Sequence, residues 1–237
     1  ARADGEDEPV FQPDRDAAEA WLGAFLATEI AAGRRVLASF DFPFGYPAGF
    51  ARAVTGRADP FVLWDWLEAR IADAPDGTNN RFEVAEAINA LFEGPGPFWG
   101  KPDRDRWPGI PYRKEGIAFA PVAEKRACDG VARAASSCFQ LYYPPTVGGQ
   151  VLTGLPVLAR LRRRFSPDLA VWPFEAWDAA PVVLAEIWPG LIQRAVEAEV
   201  ARLNADGGAA PIKDAVQVRL LARALRRLQP DERAAMM

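Results

Sequence analysis

Hydrophobic and polar positions alternate along this chain in two distinct rhythms. From Ala17 to Ala32 the apolar residues Trp21, Leu22, Phe25, Leu26 and Ile30 recur at helical spacing, after Asp14 and Asp16 and before Gly33, which predicts an amphipathic helix. Arg35–Asp41 then reads Arg-Val-Leu-Ala-Ser-Phe-Asp, a short apolar run closed by Pro43 and Gly45, and predicts a buried strand. Asp59-Pro60 opens a helix to about Asp73, with the proline at the first helical position. Asn79 or Asn80 caps another from Arg81 to Glu93. Residues 94–121 break the rhythm: six prolines and several glycines are interleaved with Phe98, Trp99, Trp107 and Tyr112, an irregular insertion.

Regular patterning returns in the second half. A weak helical pattern covers Ala123–Ala135, and Val147–Phe165 reads as a helix despite Gly154 and Pro156. Leu169–Phe174 and Pro181–Ile187 read as strands, and Leu191–Asn204 and Ile212–Leu228 as amphipathic helices. Strands alternating with helices predict an α/β fold, a single domain over residues 1–237 whose sheet is at least partly parallel.

Composition narrows the chemistry. The chain has 237 residues, half of them hydrophobic, a formal charge of −4 and no histidine. A Ser-His-Asp triad, an imidazole base and a His-ligated zinc are thereby excluded. No P-loop and no Gly-x-Gly-x-x-Gly occurs. Carboxylate, lysine, tyrosine or thiol chemistry is what remains. Cys128 and Cys138 lack the spacing of a zinc knuckle or redox pair and fit a reducing compartment. No apolar stretch reaches the roughly 20 residues needed to cross a bilayer. The expectation is a cytoplasmic protein with no membrane partner.

Two predicted strands end alike. Val36–Asp41 runs into Phe-Pro-Phe-Gly, and Val182–Glu186 into Ile-Trp-Pro-Gly. An acid at the carboxyl end of an apolar strand is costly unless it is paired or binds a cation, and that edge of an α/β sheet is where ligands bind. Asp214, at the start of the last helix, is a third candidate favoured there by the helix dipole. Together Asp41, Glu186 and Asp214 would suit Mg²⁺ or Mn²⁺ as catalytic and metal-binding residues. The alternatives stand beside this: Asp41 capping its turn, Glu186 paired with an arginine, Asp214 as a helix-start residue. Two basic groups, Arg160 with Arg162–Arg164, and Lys101, Arg104, Arg106, Arg113 and Lys114 among aromatics, resemble a polyanion-binding surface, against the plainer reading of a solvated helix end and a self-packed insertion. Thr146 and the Gly148-Gly149 amides could hold an anion or simply cap a helix.

The segments Ser39-Phe-Asp-Phe-Pro-Phe-Gly-Tyr-Pro, Lys125-Arg-Ala-Cys-Asp, Gly149-Gln-Val-Leu-Thr-Gly-Leu-Pro, Ala185-Glu-Ile-Trp-Pro and Lys213-Asp-Ala-Val-Gln resemble an uncharacterised bacterial family often labelled molybdopterin guanine dinucleotide synthesis proteins. Their order is similar to that in predicted ribonuclease-H-like nucleases. The resemblance spans roughly residues 35–225. It implies a ribonuclease-H-like mixed central sheet flanked by helices, with Asp41, Glu186 and Asp214 in its acidic site, Arg126 and Asp129 as substrate-binding residues, and a metal-dependent nuclease or phosphoesterase acting on nucleic acid or a nucleotide. It also implies a further aspartate on a first strand, which either lies ahead of Ala1 or is missing, leaving the site incomplete. The rival expectation is a non-catalytic nucleotide- or pterin-binding protein linked to molybdenum cofactor synthesis, using the aromatic insertion.

Overall fold

The computed structural model describes residues 8–74, 76–131, 135–205 and 210–227. Among them the element order is α1 (Arg15–Ala31), β1 (Val36–Phe40), α2 (Phe50–Thr55), α3 (Pro60–Glu68), α4 (Arg81–Asn89), α5 (Gly148–Phe165), β2 (Leu169–Val171), β3 (Val182–Glu186), α6 (Gln193–Ala205) and α7 (Lys213–Arg227). The chain divides into two compact units: residues 19–186, which hold the sheet, and residues 1–18 with 187–237.

In the larger unit the described strands form one sheet of order β1-β3-β2, parallel throughout. The structure is thus mixed α/β. β3 is central, and its Val182 and Leu184 are fully buried. β1 is half-buried in alternation: Val36, Ala38 and Phe40 turn toward the core, and Leu37 and Ser39 toward solvent. β2 stops at Val171 because the Val171 carbonyl accepts from both Phe174 N and Glu175 N, closing a turn where the apolar pattern alone runs on to Phe174.

α5 forms the spine of the unit. Val151, Leu152, Leu155 and Leu158 on it are fully buried, and Pro156 is accommodated inside the helix. α3 packs against it with Leu63, Trp64 and Leu67. α3 starts at Pro60 as predicted, and Asp59 caps it, its Oδ1 accepting from Phe61 N at 2.8 Å. At α4 the cap is weak, Asn79 Oδ1 accepting from Arg81 N at 3.4 Å. Asn80 stands at the cap position, but its amide spans Ala72 N and the Arg70 carbonyl, both at 2.8 Å.

Other expectations need correction: the helix expected to reach about Asp73 ends at Glu68, where the Leu67 carbonyl accepts from both Arg70 N and Ile71 N. Residues 123–131 form no α-helix, only a 3-10 turn at Cys128–Gly130; residues 132–134 of that prediction lie outside the described residues. The physical reason is local: the Asp129 carboxylate accepts from Arg126 N at 2.9 Å, drawing that amide into a side-chain turn. A short helix, α2, was not anticipated; it sits between Gly49 and Gly56, both left-handed.

The insertion at residues 94–121 carries no helix or strand, as its composition predicts. Its order comes from a few buried polar anchors. Asn89 donates from Nδ2 to the carbonyls of Phe98 and Gly109, both at 2.9 Å, and accepts from Phe98 N at 2.8 Å. The buried Lys101 ammonium donates to the carbonyls of Arg106 and Trp107 at 2.7 and 2.8 Å.

In the smaller unit α6 follows a 3-10 turn at Pro189–Ile192, and α7 packs on both. No helix among the described residues is long and apolar enough to cross a membrane.

Candidate functional site

The site begins with strand pairing. β1 and β3 are parallel neighbours, registered Val36 to Val182 through Phe40 to Glu186. Both strands therefore deliver their terminal acids to one edge of the sheet. The register, however, sets Glu186 opposite Phe40, with Asp41 one residue further on. Paired residues of a sheet share a face, and successive residues alternate. Glu186 thus shares the core-side face of Phe40, while Asp41 continues the solvent-side parity of Leu37 and Ser39 and is exposed. The two acids are neighbours along the edge with opposite parity.

Glu186 is held by Arg126. Nη1 and Nη2 of the guanidinium reach Oε2 and Oε1 at 2.6 and 2.7 Å, a bidentate pair. The same guanidinium donates to Asp129 from Nε at 3.1 Å and from Nη2 at 2.7 Å. Asp129, on the 3-10 turn, keeps 4% of its side chain exposed; Arg126 keeps 13%. Burial opposes charge on Arg126, but its hydrogen bonds and attraction to Glu186 and Asp129 outweigh it and hold the guanidinium pKa above its ordinary value. Glu186 Oε2 also accepts from Phe44 N at 3.0 Å, which ties β3 to the turn that follows Asp41. That turn is anchored again where Phe42 lies on Gly154 of α5: a β-carbon there would fall 2.6 Å from the ring.

Arg126 and Asp129 therefore engage each other and Glu186. Asp214 lies in the other compact unit, exposed in the first turn of α7. Among the described residues no group of three or more Asp, Glu, Cys or His is arranged to hold a metal ion.

The other candidates are accounted for locally. Arg160 pairs with Glu19 at 2.6 Å, Arg162 with Glu175 at 2.6 Å, and Arg163 with Asp65 and Glu68 at 2.8 and 2.6 Å, while Arg164 lies against Phe165. The basic run is spent within the unit, not presented as a cationic surface. Thr146 and Gly148 N both donate to the Gln140 carbonyl, so these groups cap a loop. Cys138 is buried, and burial pushes its thiol pKa well up; burial also raises that of Cys128, against the partial opposition of Arg126.

What the sequence concealed is the Arg126–Glu186–Asp129 cluster. The cost of an acid at the end of a buried strand had offered an arginine as the alternative partner of Glu186, and the structure shows that pairing; which arginine, and its sharing with Asp129, were not legible.

No family model, no curated protein and no solved structure matches the chain. Function must be argued from the site itself.

Proposed function

We propose that the carboxyl edge of β1 and β3 is the centre of a divalent-metal-dependent phosphoester hydrolase of ribonuclease-H-like type, with nucleic acid or a nucleotide as its phosphoester. The observation that carries this reading is the adjacency of two strand-terminal acids on parallel neighbours, with Phe40 and Glu186 in register.

The donor chemistry fits a hard cation. Glu186 and Asp129 share the Arg126 guanidinium, and Asp41 follows the strand end that is in register with Glu186. Mg²⁺ and Mn²⁺ prefer oxygen ligands. Of the roughly four lone-pair sites on a carboxylate, Glu186 commits two on Oε2, to Arg126 and Phe44 N, and one on Oε1, to Arg126. In this reading Asp41, exposed at the same edge, is the primary ligand, and Glu186 contributes through what remains of Oε1.

The ion would supply activation of water and stabilisation of a leaving oxygen, work that a chain without histidine cannot give to imidazole. The chain's own residues position. Arg126 fixes the Glu186 carboxylate, and Glu186 fixes Phe44 N and with it the turn after Asp41. Asp129 keeps the guanidinium in place and charged.

Turnover of bis(p-nitrophenyl) phosphate with Mn²⁺ tests this. The wild-type chain should release p-nitrophenol only with the metal, and Asp41→Asn should lower the rate by about a hundredfold or more, on the scale of losing one electrostatic stabiliser. Equal rates for the two proteins would overturn the assignment.

A further inference from the structure

The turn after β1 is fastened at one residue, Phe44. Pro43 has no N–H, so the Phe44 amide is the first donor the backbone offers beyond Phe42. It donates to Glu186 Oε2 at 3.0 Å. The Phe44 carbonyl, in the next peptide unit, accepts from Trp64 Nε1 of α3, also at 3.0 Å. The two peptide units that flank the Phe44 α-carbon are therefore each held by a side chain distant in sequence, one from the end of β3 and the other from α3.

Trp64 is built to hold its end. It is fully buried, and Phe44 is 1% exposed. The indole meets the rings of Phe44, Phe61 and Phe174 nearly edge-on, at 6.1, 5.2 and 6.2 Å between centroids and angles of 89°, 89° and 81°. α3 in turn packs on α5. An enclosed indole N–H and an enclosed carbonyl are both costly to leave unpaired. Packing thus fixes the ring, and the ring fixes the carbonyl.

At the other end, Oε2 of Glu186 takes Phe44 N together with Arg126 Nη1, and Oε1 takes Arg126 Nη2. The guanidinium reaches both oxygens, so the Phe44 amide is the contact that tells them apart. We propose that Trp64 is a positioning residue for the sheet-edge site: by holding the Phe44 carbonyl it keeps the Phe44 amide on Oε2, and so leaves Oε1 to the cation. This role rests on the reading of that edge as a metal site and adds to it a residue of α3 that acts through the backbone.

Amide hydrogen exchange at Phe44 and calorimetric titration with Mn²⁺, both on the full chain, test it. Trp64→Phe keeps an aromatic ring and removes the N–H; Phe61→Leu loses a ring contact to Trp64 but no hydrogen bond and controls for packing. In the wild-type chain the Phe44 amide should be protected, and fast exchange there would overturn the proposal without recourse to a variant. Trp64→Phe should speed that exchange by about tenfold or more. It should weaken Mn²⁺ binding by about tenfold or more, on the scale of losing an outer partner of a metal ligand. Phe61→Leu should leave both unchanged. Unaltered exchange or unaltered Mn²⁺ affinity in Trp64→Phe, or equal effects in the two variants, would overturn the proposal. A wild-type chain that binds no Mn²⁺ would overturn the metal reading and this role with it, a failure separate from that of the Trp64–Phe44 link, which shows in the exchange rates alone.

Discussion

Arg126 grips both oxygens of Glu186, at 2.6 and 2.7 Å, across 60 residues of sequence. With Asp129 on its other flank, the guanidinium joins the 3-10 turn to the end of the central strand. Arg126→Met should therefore destabilise the protein by about 3 kcal/mol, since removing one partner strands two poorly solvated carboxylates. Urea unfolding should show the midpoint falling with little change in slope.

Gly154 and Phe42 make a second such link. A β-carbon on Gly154 would meet the Phe42 ring at 2.6–3.0 Å. Gly154→Ala should cost about 1–3 kcal/mol through overpacking, and Phe42→Leu should recover part of that loss in the double variant. Additive losses in thermal unfolding would contradict the contact.

The ionisation of the tyrosines should be spread widely. Hydrogen bonds from Tyr143 and then Arg104 hold the Tyr112 pKa below its ordinary value, while burial and the Tyr112 partnership push Tyr143 up to about 12. Burial also holds the Tyr46 pKa well above its ordinary value. Tyr112 should ionise first in an alkaline absorbance titration, and Tyr112→Phe should remove that first phase. The sign for stability follows. A phenol with a depressed native pKa favours the fold at pH above its unfolded value of about 10, and that contribution vanishes as pH falls through the native value.

Thiol labelling should be slow and split. Cys128 is exposed but its pKa is raised, and Cys138 is buried with its pKa raised further. A disulfide reagent at pH 8 should modify Cys128 more slowly than free cysteine and Cys138 only on unfolding. Rapid labelling of both would contradict the packing around Cys138.

Much of the α/β order was legible because burial imposes its period on sequence. The apolar run 36–40 and its twin at 182–186 read as strands, and both become strands of the same sheet. Asp59-Pro60 announced the start of α3, and the proline-rich insertion announced itself as irregular. Register was not legible. A one-residue offset decides whether Asp41 or Phe40 faces Glu186, and nothing local in either strand encodes it. Nor was the partner of Glu186: Arg126 lies in a stretch patterned like a weak helix, and its role depends on a tertiary approach. The basic run at 160–164 misled for a related reason. Its charges are written in sequence, but Glu19, Asp65, Glu68 and Glu175, which neutralise them, come from elsewhere in the fold. The stacking of Trp107 on Phe82, 4.5 Å between ring centroids, was not legible either, because it joins the insertion to α4.

The central claim is that the β1–β3 edge carries a divalent-metal site in which Asp41 is the main ligand and Glu186, braced by Arg126, a lesser one. Calorimetric titration of Mn²⁺ into wild type, Asp41→Asn and Glu186→Gln tests it most directly. The expected result is one site in the wild-type chain, weakened by about a hundredfold in Asp41→Asn and less in Glu186→Gln, in line with loss of a ligand and of a neighbour that orients it. No Mn²⁺ binding by the wild-type chain, or an affinity indifferent to Asp41→Asn, would contradict it.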